Sequence, residues 1–304
     1  MVYCAAMKNA SIEKKSGTDF PSPAYDNGCY ITPGRSITRL KRMLPSLFFY
    51  KRIIEIVLYG SRLAKQGRYD DTAWCKSSLD SLRALEEVGG FVEITGVNQL
   101  LTFDGPCVFI GNHMSTLETF LLPAIIRPFK PVTFVVKQGL VEYPVFRHIM
   151  RSRDPIVVGR TNPREDLKAV LEGGEERLKN GISLVIFPQQ PKGGARSVKF
   201  DPSSFNTMGV KLAKRAGVPV VPVAVKTDAW GNGRWLRDFG KIDPSKDVHI
   251  AFGRPMMING RGASEHQAVI DFITDRLTEW GGICLNAGQK NSGASCSCDN
   301  GLLP

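Results

Sequence analysis

An α/β fold is what this sequence predicts: a mostly parallel or mixed sheet of about seven strands flanked by helices, with a helical hairpin at its N-terminal end. Three observations carry that expectation. Short β-branched runs recur from residue 91 onward, at FVEIT, CVFIG, VTFVV, PIVV, SLVIF, VPVVPVAV and VHIAFG. Helical spacing fills several of the intervals, with Leu167, Val170, Leu171 and Leu178 in one and Val269, Ile273, Leu277 and Trp280 in the last. Apolar strands separated by helices imply a largely parallel sheet covered on both faces.

The elements follow in order. Residues 1–40 are rich in Ser, Gly, Pro and Asn without periodicity, and are expected to be disordered. Residues 41–90 read as the hairpin. Its first helix begins at Pro45, a residue suited to a helix start, and carries Leu47, Phe48, Ile53, Ile54, Ile56, Val57 and Leu63 around a narrow polar stripe of Lys51, Glu55, Arg62 and Gln66. Its second places Trp74, Cys75, Leu79, Leu82 and Leu85 inward and closes at Gly89-Gly90. Basic Lys51, Arg52, Arg62 and Lys65, with Phe48, Phe49, Tyr50 and Tyr59 among the large side chains, mark the hairpin as a candidate membrane-docking element. Residues 91–280 form the expected α/β domain, and 281–304 a disordered tail. Pro219 and Pro222 fall inside one strand run; neither can donate to a ladder, so an edge, a bulge or a special turn is expected there.

Charge narrows the partners. Lys and Arg total 40 against 29 acids, a net charge of +11 that calls for an anionic partner. No basic stretch interleaved with aromatics and no reading motif supports nucleic acid. The 7 cysteines are scattered, and Cys296-x-Cys298 gives too few ligands for a zinc site, so reduced thiols and no metal are expected. The N-terminal region shows no signal peptide and the chain no transmembrane run. The expected location is cytoplasmic, peripheral on the inner face of a membrane.

The stretch GNHMSTLETF, residues 111–120, holds the chemistry-bearing candidates. A strand runs into it and a helix runs out. Ser115 and Glu118 fit a capping box, which would make Glu118 a structural cap and His113 a turn residue. The same geometry lets Glu118 turn back to His113, hold its tautomer and stabilise the imidazolium after proton capture. An unperturbed histidine titrates near about 6.5 and is available as a base at neutral pH. With no G-x-S-x-G elbow in the chain, the proton donor is expected to be a substrate hydroxyl. Both readings stand at this point.

Other segments add to the pattern. Val157, Val158 and Arg160 end a short apolar strand; Phe187-Pro188 opens QQPKGGARS, with Gln189, Lys192, Arg196 and Ser197; and Val218 to Val223 read V-P-V-V-P-V. With Asn112, His113 and Glu118, in this order and spacing, they resemble the glycerolipid acyltransferase family over roughly residues 105–226. That family's first block is N-H-x-x-x-x-D, with glutamate here in place of aspartate. Its second carries a glycine where this chain has Asp154. Its third, F-P-E-G-T-R-S, is interrupted, because Gln189-Gln190 replace Glu-Gly and about four residues are inserted.

The resemblance implies that His113 is the general base and Glu118 its orienting partner. Asn112, Ser115, Phe187, Pro188, Gln189, Pro219 and Pro222 would support the motifs, and Arg160, Arg196 and Lys192 would hold an acceptor phosphate. It implies an acyl thioester donor (acyl coenzyme A or acyl carrier protein), a phosphorylated lipid acceptor such as 1-acylglycerol-3-phosphate, and no further cofactor or metal. The altered third block suggests an alternative, a catalytically impaired or repurposed lipid-binding peripheral protein of the same fold.

Overall fold

The computed structural model describes residues 20–34, 36–159, 161–189, 199–233, 239–282 and 284. The first elements among the described residues are a two-residue strand, β1 (Tyr30–Ile31), and a short helix, α1 (Arg39–Met43). Proline opens α2 (Pro45–Lys65), where its missing N–H would have had no helical partner. Gly67 then turns the chain at φ +68°, and Asp70 caps α3 (Asp71–Glu87) by accepting the Ala73 N–H at 2.8 Å.

From there strands and helices alternate. They are β2 (Val92–Thr95), β3 (Val108–Gly111), α4 (Leu117–Ile126), β4 (Val132–Lys137), α5 (Gln138–Glu142), α6 (Phe146–Ser152) and β5 (Ile156–Val158). After α7 (Pro163–Lys179) come β6 (Ser183–Ile186), α8 (Met208–Ala216), β7 (Val220–Lys226), β8 (Val248–Phe252) and α9 (Ala263–Glu279). Among the described residues the sheet has eight strands, in the order β1-β2-β8-β7-β3-β6-β4-β5. Strands β7, β3, β6, β4 and β5 run parallel; β8 runs against β7, and β1 against β2.

Alternation along the strands makes two cores. In β3, Val108 and Ile110 face α7, α8 and α9, while Phe109 faces α2, α3 and α4. Each face is fully buried, so the strand reads as a continuous apolar run. Burying a Leu, Ile, Val or Phe side chain stabilises by about 1.5–3 kcal/mol. The two helical layers are therefore held by many such contacts.

All seven apolar runs are strands, and β1 is the eighth. It lies inside the segment expected to be disordered, which is a correction for residues 20–34. Tyr30 pairs with Ile94 across the edge of β2, Val92 N–H donates to Thr32 Oγ1 at 2.8 Å, and the Tyr30 hydroxyl bonds Glu86. Arg127 sits 4.5 Å over the Phe20 ring. A two-residue strand has no periodicity to read, so its order comes from this docking. Residues 1–19 and 285–304, also expected to be disordered, lie outside the described residues.

The hairpin is amphipathic twice over. Phe49, Ile53, Ile56 and Val57 of α2 are buried in the core, with Phe49 edge-on to Trp230 at 5.0 Å. The Tyr50 hydroxyl donates to the Gly240 carbonyl at 2.5 Å. Of the four aromatics expected to mark a docking face, Phe48, Phe49 and Tyr50 instead pack inward, and only Tyr59 is exposed. The opposite face of α2 exposes Leu47 (60%), Ile54 (52%) and Leu58 (55%) beside Lys51, Arg52, Arg62 and Lys65. Among the described residues, no helix is long and apolar enough to cross a membrane.

Prolines 219 and 222 do not mark an edge. Strand β7 is central, between β3 and β8, and the alternative that holds is the bulge. Val220 pairs with Met256 while Val223 pairs with Phe252, so the partner chain carries one extra residue between the two pairs. Pro222 O accepts the Gly253 N–H at 2.8 Å, which directs that residue's missing N–H toward the bulge rather than into the β3 ladder.

Candidate active site

Strands β7, β3 and β6 lie side by side and parallel, and their carboxyl ends deliver Thr227, His113 and Phe187 to one place. Helix α4 leaves β3 for one face of the sheet and α8 precedes β7 on the other. A crevice beyond such strand ends is the usual ligand site of an open α/β sheet.

Two residues aim His113. A Cβ on Gly111 would stand 2.9 Å from the Val223 carbonyl oxygen, so only glycine allows β3 to end this close to β7. At Asn112 the side chain replaces the departing main chain in the ladder. Its Nδ2 donates to Val225 O at 2.7 Å, and its Oδ1 accepts the Val225 N–H at 2.9 Å. Both amide groups are satisfied in a fully buried position, which fixes the direction in which the next residue leaves.

His113 is then held on three sides. Its ring stacks on Phe187 with centroids 5.0 Å apart, its backbone N–H donates to Gln189 Oε1 at 3.4 Å, and its Nδ1 lies 2.6 Å from Glu118 Oε1. The side chain keeps 17% exposure. With Nδ1–H given to a carboxylate, neutral imidazole carries its free lone pair on Nε2. The arrangement can accept a proton at Nε2.

Glu118 is wholly buried, yet every contact it makes suits an anion. Oε1 accepts from His113 Nδ1, Met114 N (2.8 Å) and Ser115 N (3.1 Å). Oε2 accepts from the Thr227 hydroxyl at 2.6 Å and lies 3.1 Å from Ser115 Oγ. Burial is the largest single influence and by itself raises the carboxyl pKa. The charge and hydrogen bond of His113, with hydrogen bonds from Thr227 and the backbone, together outweigh it and hold the pKa below its ordinary value. Contacts of both kinds, at the helix start and to the imidazole, are present. Ser115 Oγ accepts the Leu117 N–H at 3.1 Å at the start of α4, while the same glutamate turns back to the imidazole.

The other expected residues divide. Phe187, Pro188 and Gln189 are at the site, and Pro188 O is anchored by Asn206 Nδ2 at 2.7 Å. Arg160, Lys192 and Arg196 lie outside the described residues. Asp154, standing where the resembled family has glycine, adopts φ +46°. Aspartate tolerates that left-handed conformation better than most side chains, and its carboxylate meets Arg177 at 2.7 Å. No sequence motif singles out Thr227. Its bond to Glu118 spans 109 residues, and its one clue is its position at the end of an apolar strand run.

Comparison with known proteins bears on this geometry. Residues 91–226 match the family described as Acyltransferase. The chain is 30% identical over 211 residues to a 1-acyl-sn-glycerol-3-phosphate acyltransferase of Pseudomonas aeruginosa, a match covering 68% of this chain and 76% of that protein. It is also 30% identical over 133 residues to a chloroplastic 1-acyl-sn-glycerol-3-phosphate acyltransferase of Brassica napus, covering 44% of this chain and 36% of that one. The crystal structure of the 1-acyl-sn-glycerophosphate (LPA) acyltransferase from Thermotoga maritima shares the fold. Its TM-score is 0.55 at 20% identity, over 80% of this chain and 97% of that one.

Proposed function

This chain belongs to the acyltransferase family and is an O-acyltransferase; from that premise we propose that it carries a fatty acyl group from a thioester donor to a hydroxyl of 1-acylglycerol-3-phosphate, as a step of phospholipid biosynthesis. The donor is acyl coenzyme A or acyl carrier protein. The observation that carries the reading is the His113–Glu118 pair, with Nε2 free and Nδ1 held by a buried anion.

His113 Nε2 takes the proton of the acceptor hydroxyl as its oxygen attacks the thioester carbonyl. The imidazolium so formed faces the charge of Glu118. The tetrahedral intermediate collapses with loss of the carrier thiolate, which receives the proton back from His113. General base catalysis of this kind contributes about 10²- to 10⁴-fold, and orientation of the two substrates supplies much of the rest. Arg160, Arg196 and Lys192 grip the acceptor phosphate. The exposed face of α2 rests on an anionic bilayer, where such an acceptor resides, with its apolar stripe inserted and its basic side chains at the phosphates.

The alternative, a lipid-binding protein without turnover, draws on the altered third motif. Gln189 argues against it, because its amide oxygen accepts the His113 N–H and so this altered residue is itself tied to the dyad. The test is thiol release from acyl coenzyme A and acyl carrier protein, with mass spectrometry of the lipids formed from a panel of glycerol phosphate and lysophospholipid acceptors. A new diacyl product with 1-acylglycerol-3-phosphate is expected. Lipid binding with no thiol release from any pair would establish the alternative.

A further inference from the structure

We infer that Thr227 is a positioning residue that, together with Ser115, brackets the carboxylate of Glu118 so that the longer side chain at this position still presents Oε1 to His113. The kinetic part of this inference rests on the proposed acyl transfer; the spectroscopic part does not.

Glutamate has one more rotatable bond than aspartate, so its carboxylate can swing and twist within a cavity unless both oxygens are held. Here each oxygen is held from more than one side, and the Ser115 amide is shared between them. Oε1 faces His113 and the Met114 and Ser115 amides; Oε2 faces Thr227 Oγ1 at 2.6 Å, Ser115 Oγ at 3.1 Å and the Ser115 amide at 3.1 Å. The hydroxyl protons can be placed consistently. Leu117 N–H donates to Ser115 Oγ, Ser115 O–H to Thr227 Oγ1 at 2.9 Å, and Thr227 O–H to Glu118 Oε2. Successive donors in such a chain polarise one another, and the last of them ends on the anion.

Origin adds weight to the geometry. Met114, Ser115 and Leu117 belong to the same turn as Glu118 and move with it. Thr227 comes from the end of β7, the strand to which Asn112 is also pinned. The Thr227 bond therefore ties the carboxylate to the same strand that fixes the departure of His113 from β3. Both members of the dyad are referred to one rigid element. Thr227 and Glu118 are fully buried, so solvent does not stand in for the hydroxyl if it is removed.

The experiment uses the full chain with Thr227→Val, which removes the hydroxyl at nearly constant volume, and Thr227→Ser, which restores it. The valine variant should lose kcat by about 10-fold or more, the effect of one hydrogen bond to a charged group, with acceptor KM unchanged. The serine variant should recover most of that loss. In a Glu118→Asp background, where the shorter carboxylate does not reach from Thr227 to His113, Thr227→Val should cost little more, a non-additive pair. Proton NMR provides the arm that needs no turnover. The His113 Nδ1–H should resonate far downfield in the wild type and in Thr227→Ser, and shift upfield or broaden in Thr227→Val. If the protein transfers no acyl group, that resonance still decides the role of Thr227. An unmoved resonance with wild-type kcat in the valine variant overturns the inference, as does a serine variant no better than valine. Should valine prevent folding, Thr227→Ala takes its place in the same comparison.

Discussion

His113 Nδ1 lies 2.6 Å from Glu118 Oε1, and the carboxylate behind it is sealed from solvent while the imidazole is not. A base built this way has one nitrogen committed and one open. His113→Ala should therefore abolish acyl transfer while leaving the fold intact, since the ring stacks at the edge of the site rather than in either core. Thiol release and thermal denaturation of the variant check this together. Near-normal turnover would remove His113 from the chemistry.

Glu118→Gln should reduce turnover less than His113→Ala, because the side chain still turns back to the imidazole but without charge. It should also lower stability. Both carboxylate oxygens only accept, so the amide NH2 of glutamine must face at least one donor, a loss of about 1–3 kcal/mol. The pH dependence has a definite sign. The folded pKa of Glu118 is depressed below an unfolded value of about 4.3, so its ionisation stabilises the fold above that pH and the contribution fades as pH falls through the folded pKa. Urea denaturation between acid and neutral pH should show a shallower acid limb in Glu118→Gln than in the wild type.

Asp154 at φ +46° gives a test of the departed second motif. Replacing it by glycine relieves the left-handed strain and loses the Arg177 ion pair, two small opposing effects that should leave stability within about 1 kcal/mol. Asp154→Val keeps neither the ion pair nor a tolerable backbone and should destabilise by about 1–2 kcal/mol or more. Comparable midpoints for glycine and valine would show that the backbone conformation is not what this position is chosen for.

Arg160→Ala and Arg196→Ala should each weaken acceptor affinity by roughly 10- to 150-fold, the worth of one charge-assisted hydrogen bond, with donor affinity hardly changed. Steady-state kinetics with varied acceptor and fixed donor measure this. An equal loss toward an acceptor lacking phosphate would rule the role out.

How much could be read beforehand follows from the range of each interaction. Val108, Ile110, Val170 and Leu184 announce their strands and helices because burial on a fixed period is local information. His113 and Glu118 were legible because five residues separate them and one helix start brings them together. Thr227 was not, since its bond to Glu118 depends on β7 lying beside β3, which pairs residues more than a hundred positions apart. The prolines in β7 announce a disturbance without its location. Only the pairing with Gly253 and Met256 shows that the disturbance is a bulge inside the sheet. Tyr30 and Ile31 gave no signal at all, because two residues make no pattern and their order comes from the edge of β2 and from Glu86.

Helix α2 of the hairpin gives one face to the core and the other to solvent, and only the second is free to meet a membrane. Removing residues 1–66 would strip Phe49, Ile53, Ile56 and Val57 from the core, so an aggregated product would say nothing about membranes. Surface variants separate the two faces. Leu47→Glu with Leu58→Glu alters side chains that are already in water, so stability should change by less than about 0.5 kcal/mol. Binding to anionic vesicles should fall sharply, because two inserted apolar groups become two charges repelled by the surface. The basic side chains supply the second half of the test. Helix α6 crosses α2 at Gly60, where a Cβ would meet Ile149 at 3.2 Å, and brings Arg147 and Arg151 beside Lys65 around His148. Desolvation, followed by these three positive charges, lowers the His148 pKa, as expected where cations gather. Lys65→Glu with Arg151→Glu should reduce sedimentation with anionic vesicles and leave binding to neutral ones unchanged. High salt should release the wild type in the same way, since screening acts on charges near the surface. Turnover of a short-chain, water-soluble acceptor should be unaffected by either pair. Vesicle binding that persists in both double variants would mean that the exposed stripe of α2 is not the docking face.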